Sequence, residues 1–158
     1  MTHERQSKSD DWFTPKYIFD ALGVRFDMDV AAPQDGPRYV PADTWLWQGG
    51  LDADWTGFVW MNAPFGHQRQ KRLWLDKFFT HGNGIALVPD RTSAPWWQEY
   101  APQADAILFV APKVKFERPD GSIGEQPGSG TCLFGKGPKA LRAMHGSGLG
   151  RIGVLFRG

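Results

Sequence analysis

At 158 residues and 41% hydrophobic content, the chain has room for one domain around one substantial core and little room for a second. Its net charge of +1 gives no global pull toward nucleic acid, so any such contact must come from local patches. The single cysteine, Cys132, excludes an internal disulfide framework and suits a reducing compartment. No apolar stretch approaches membrane-spanning length, and the polar N-terminus lacks the apolar core of a signal peptide, so a cytosolic protein is expected.

Residues 1–10 read as a disordered tail and 11–158 as a single domain. Thr14 as N-cap with Pro15 at the first helical position predicts a short helix, whose apolar residues Tyr17, Ile18, Ala21 and Leu22 precede a stop at Gly23. Residues 25–30 alternate as a strand, and 38–40 is a further candidate in a stretch otherwise broken by Pro33, Gly36, Pro37, Pro41, Gly49 and Gly50. A strand at 58–61 leads to a helix over 71–80, a short buried strand at 84–88, a helix over 95–100 and a strand at 106–110. Residues 114–118 and 131–134 bracket a Pro/Gly/Ser-rich loop and predict a hairpin, with a helix over 138–144 and a final strand at 152–156. Helices interleaved with short buried strands imply an open α/β sheet. Eight tryptophans are present, and Trp47, Trp55, Trp60 and Trp74 have the apolar neighbours of core residues.

The strand at 58–61 runs into Asn62-Ala63-Pro64-Phe65-Gly66. The exocyclic amine of adenine is a poor nucleophile because its lone pair is delocalised into the ring. The Asn62 side-chain oxygen and a backbone carbonyl held outward before Pro64 are two acceptors able to bond both amine protons and favour a tetrahedral nitrogen. Phe65 offers a surface for a base taken out of the helix or out of a single strand. Taken alone, Asn followed by Pro equally describes an ordinary turn.

The segments Trp12-Phe13-Thr14-Pro15, Phe26-Asp27-Met28-Asp29-Val30-Ala31-Ala32, Asp54-Trp55, Asn62-Ala63-Pro64-Phe65 and Leu87-Val88-Pro89-Asp90-Arg91-Thr92 follow one another in an order and spacing that is more specific than any one of them. From Asp10 to about Gly137 the chain resembles the phage-type DNA N6-adenine methyltransferases, the Dam-like family of bacteriophages and prophages. The resemblance implies an abbreviated Rossmann-like fold with an open, mostly parallel sheet. It also implies S-adenosylmethionine as methyl donor, DNA as partner, no metal and no membrane, in the cytoplasm of a bacterial host. Asn62, Ala63, Pro64 and Phe65 then form the catalytic motif. Asp29 meets the cofactor's ammonium, Asp54 its adenine amine and Asp43 its ribose. Ala31 and Ala32 allow close approach of the cofactor, and Trp12, Thr14 and Pro15 belong to an N-terminal cofactor-contacting segment. The chain departs from the family's central motif at one position, and its cofactor half differs from that of many methyltransferases while agreeing with the compact phage family. Ala63 replaces the first proline of the motif, which puts turn stiffness in question. Residues 30–36 lack a glycine-rich loop, and 33–52 are too few for two strand-helix repeats, so the cofactor half is expected to be short.

For DNA, the run His67-Gln68-Arg69-Gln70-Lys71-Arg72 offers Arg69, Lys71 and Arg72 to phosphates, or is a solvated helix entry. In the loop after 84–88, Arg91 and Thr92 are candidates for phosphate contact and Trp96 or Trp97 for flanking a flipped base. The other reading is a helix start capped by Thr92 or Ser93 with the tryptophans packed beneath. Lys113 and Lys115 form either a basic strand face toward DNA or edge protection. The four histidines share no metal-ligand spacing with each other or with Cys132, which reads as a buried hydrophobe. Alternative readings are a catalytically inactive relative that binds nucleic acid or a host protein, and a methyltransferase acting on cytosine N4 or RNA. Neither target sequence nor oligomeric state is legible.

Overall fold

The computed structural model describes residues 12–64, 68–123 and 129–156. The predicted tail at 1–10 and Phe65 lie outside the described residues. Seven strands, β1 (Phe26–Asp29), β2 (Ala42–Trp45), β3 (Val59–Met61), β4 (Gly84–Pro89), β5 (Ala106–Val110), β6 (Thr131–Lys136) and β7 (Gly150–Gly153), form one sheet in the order β2-β1-β3-β4-β6-β5-β7. The β1/β2, β1/β3 and β3/β4 pairs are parallel, whereas β6 runs against both β4 and β5, and β7 against β5. The first five strands therefore point one way, giving the open, mostly parallel sheet expected of a Rossmann-like fold.

Strands buried on both faces need helices on both sides. Val59, Met61, Ala86, Val88, Ile107 and Phe134 join one core with α2 (Gln68–His81) and α3 (Pro95–Tyr100) through Trp74, Leu75, Phe78, Trp96 and Tyr100. The alternate residues Trp60, Ile85, Leu87, Leu108 and Leu133 join the opposite core with α1 (Lys16–Leu22) and α4 (Pro138–His145) through Ile18, Phe19, Leu22, Ala140 and Met144. Period two along the strands and helical spacing on their covers thus divide the apolar residues between two layers. No helix interrupts 30–58, so the half of the sheet before β3 is built from strands and loops alone. Trp55, Trp60 and Trp74 are buried as expected, but Trp47 is 43% exposed and is not core.

Four local expectations are corrected. Thr14 does not cap α1, whose N-cap is Pro15 without a side-chain hydrogen bond; the helix does stop at Gly23, which sits at φ 62. No strand forms at 38–40, because the free edge of β1 is taken by Ala42–Trp45; the Arg38 side chain donates to the Arg118 and Pro119 carbonyls (3.1 Å from Nη1 to Arg118). Pairing with β1 begins instead at the Pro41 carbonyl, which accepts from Phe26 N–H at 2.8 Å; proline can supply that acceptor at a strand start although it has no N–H. Residues 114–118 make no hairpin with β6, whose two edges are taken by β4 and β5. Val114 is fully buried between exposed Lys113 and Lys115, so their alternation reflects a single apolar anchor, and Glu117 bridges to Phe13 instead. The last strand ends at Gly153, paired with Ile107 near the start of β5, and leaves Val154, Leu155 and Phe156 exposed.

Candidate functional site

From β1 the chain moves to β2 on one flank and then returns to β3 on the other. Successive connections thus diverge between β1 and β3, and in open α/β sheets ligands bind at such a switch point, outside the carboxyl ends of the strands. Those ends carry Asp29 and Asn62. The register sets Asp29 beside Trp60, two residues before Asn62 on the adjoining strand.

Asp29 is 3% exposed, and Ala31 N–H donates to its Oδ1 at 3.2 Å. Burial outweighs this bond and lifts the carboxyl from 3.8 to about 7. An ionised carboxylate accepts roughly four hydrogen bonds, so a buried one held, among the described residues, by a single backbone donor is suited to a cationic ligand group. At the end of the adjoining strand, the Asn62 side-chain nitrogen donates to Thr14 Oγ1 at 3.4 Å. This contact joins positions 48 residues apart and leaves the amide oxygen, Oδ1, to accept from a ligand. Thr14 is 6% exposed, so its hydroxyl serves Asn62 where the sequence had suggested a helix cap. Ala63 is also 6% exposed and joins the core beneath α2, while Pro64 is exposed.

A family model, DNA N-6-adenine-methyltransferase (Dam), matches residues 1–132, which contain Thr14, Asp29 and Asn62 and the strands that carry the last two. The chain belongs to the Dam family. No curated protein and no solved structure matches it. As a Dam-family enzyme it transfers a methyl group from S-adenosylmethionine to the N6 amine of adenine, with DNA as its macromolecular partner.

Several residues expected at the site of this Dam-family chain lie away from the strand ends that carry Asp29 and Asn62. Pro15 is buried behind Thr14, and Trp12 is 42% exposed with the Arg118 guanidinium 5.5 Å from its ring centre. Asp43 lies two residues before the end of β2 in an exposed ion pair with Arg25, short of the carboxyl edge. Asp54 is exposed on the connection that descends along α2. Lys77 holds the Leu51 and Ala53 carbonyls there, and Trp55 packs on His81, the last residue of that helix. Because α2 leads from the end of β3 back to the start of β4, this places Asp54 toward the opposite edge of the sheet.

Of the residues expected to meet DNA, Arg91 and Thr92 are exposed at the carboxyl end of β4, beside β3. Lys71 lies close to Arg91. Its pKa is lowered first by burial and then by the Arg91 charge, and its ammonium sits 5.3 Å from the Trp96 ring centre. Arg69 is exposed, but Arg72 is paired with Glu99. Trp96 and Trp97 are 1% and 2% exposed and fill the core under α3, so neither flanks a base. Neither Thr92 nor Ser93 caps α3, whose N-cap is Ala94. Lys113 and Lys115 stay exposed on the segment leaving the carboxyl end of β5. Cys132 is buried and its thiol is pushed up to about 12 by burial, so it is an inert core residue. Among the described residues no three His, Cys, Asp or Glu side chains cluster for a metal, and no helix is long and apolar enough to cross a membrane.

Proposed function

We propose that methyl transfer takes place in the cleft between the ends of β1 and β3, with Asp29 holding the methionine ammonium of the cofactor and Asn62 activating the adenine amine. The observation that carries this reading is the buried, under-partnered Asp29 carboxylate on the strand next to Asn62. S-adenosylmethionine supplies an electrophilic methyl group on a sulfonium. Asn62 Oδ1 and the carbonyl preceding Pro64 accept the two amine hydrogens, localising the nitrogen lone pair toward the incoming carbon. With the Asn62 amide nitrogen bonded to the Thr14 hydroxyl, its oxygen is the atom left for the base. Phe65 stacks on the extruded adenine. Alignment supplies much of the rate, no strong base is needed, and the proton released after transfer passes to solvent.

Ala63 is compatible with activity because the lost proline ring contributed rigidity rather than a reacting atom, and its methyl is packed in the core. Lys71, Arg91 and Arg69 contact phosphates along the same edge, with Lys113 and Lys115 further out. The bacterial host cytoplasm, where phage or prophage DNA lies, suits this activity and a free buried thiol. The deciding assay is transfer of labelled methyl to adenine-containing DNA, with N6-methyladenine, N4-methylcytosine and methylated RNA resolved separately. Turnover that survives Asn62→Ala refutes the assigned mechanism.

A further inference from the structure

In nucleotide-binding α/β sheets the carboxyl end of the strand beside β1 ordinarily presents an acid to the ribose. Here that position, paired with Asp29 in the sheet register, is occupied by Trp45, while the nearby acid Asp43 is turned to Arg25. Trp45 is 48% exposed although it is large and apolar. It is also held in place. One edge of its indole packs on Gly36, in the loop that leaves β1, and a Cβ at Gly36 would lie 3.3 Å from the ring. Gly36 is buried and has φ +91, a conformation and a clearance that other residues do not provide. Leu46 N–H donates to the Asp29 carbonyl at 2.9 Å and Ala32 N–H to the Leu46 carbonyl at 2.8 Å, so the ends of β1 and β2 are locked together just beyond Trp45.

We propose that Trp45 is the stacking platform for the adenosine half of S-adenosylmethionine. The inference rests on the cleft reading above. Three adjacent strand ends present an aromatic ring, a buried carboxylate and a carboxamide, in that order. A sulfonium carries three arms, adenosyl, aminocarboxypropyl and methyl, whose chemistry matches those three surfaces in the same order. An aromatic face binds a purine without a charged partner, and a ring fixed in advance loses little freedom on doing so.

The test is calorimetry and tryptophan emission with S-adenosylmethionine, S-adenosylhomocysteine and 5′-methylthioadenosine, the last lacking the amino-acid arm. Trp45→Ala should weaken S-adenosylhomocysteine roughly tenfold and 5′-methylthioadenosine at least as much. Trp45→Phe should keep the affinity within about threefold, as stacking on a smaller ring allows, yet lose part of the ligand-induced change in emission. Trp45→Ala that binds like wild type overturns the platform alone. Emission in Trp45→Phe that responds to ligand as wild type does overturns it as well, even if Trp45→Ala fails to fold. Wild-type protein that binds none of the three ligands overturns the cleft reading itself.

Discussion

Asp29→Asn provides a test of the cleft that does not depend on turnover. The folded-state carboxyl is raised from 3.8 to about 7 by burial, with the Ala31 hydrogen bond acting in the opposite direction. A raised acid favours the folded state fully below its unfolded pKa, and that contribution is lost as pH climbs through the folded value. At 1.36 kcal/mol per unit, the full displacement amounts to about 4 kcal/mol, an upper bound since a relaxing site admits water. Without cofactor, Asp29→Asn should therefore gain stability relative to wild type by about 2–4 kcal/mol between pH 4 and pH 8. Urea unfolding of both proteins at the two pH values measures this, and the other carboxylates cancel in the difference. In wild type, S-adenosylmethionine affinity should fall about tenfold per pH unit below 7, because the ammonium needs the ionised form, and this dependence should vanish in Asp29→Asn. A stability difference that is the same at both pH values would refute the assigned burial, and a flat affinity profile in wild type would remove Asp29 from the ammonium site.

Asn62→Ala should lower kcat by about a hundred- to a thousandfold, as loss of one transition-state-directed polar group does, with cofactor and DNA affinities nearly unchanged in equilibrium titrations. Replacing Lys71 and Arg91 together by Gln should weaken DNA binding and reduce the slope of log affinity against log salt by about 2, read by anisotropy at several salt concentrations, with S-adenosylmethionine binding spared. Trp96→Ala should cost about 3–5 kcal/mol in chemical denaturation, the range for a buried aromatic; a fully stable variant with impaired base capture would return Trp96 to the DNA.

The sheet's centre was legible because short apolar runs bounded by turn residues have few alternatives. Residues 106–110 and 95–100 form the expected strand and helix with the expected limits, and Pro95 opens its helix as a first-turn proline should. The places of Asn62 and Asp29 at strand ends were legible because each directly follows or closes such a run. What escaped the sequence was set by partners far along the chain. The second strand is set by the register of Ala42–Trp45 on β1, the Arg38 side chain bonds carbonyls 80 and 81 residues away, and Thr14 is a partner of Asn62 rather than a helix cap. Trp96 and Trp97 carried an ambiguous signal, since an aromatic pair beside a helix start describes a core and a base clamp equally well, and burial decided for the core. Asp43 and Asp54 were placed by order along the chain, whereas the direction of the connecting segments carries both away from the carboxyl edge.

The absence of a helix between β1 and β3 has a consequence for motion. β2 is the outermost strand on that side, pairs only with β1, and has no fully buried residue. Amide exchange should therefore be fast along β2, as along the other edge strand β7, and slow at β4 and β6, which are paired on both edges and almost wholly buried. Leu46 and Gly36 already hold the Trp45 end of β2, so its first residues, Ala42 to Thr44, are the part of this strand that a bound ligand has most scope to order. Protection gained there would measure cofactor occupancy from the backbone itself, independently of chemistry at the base.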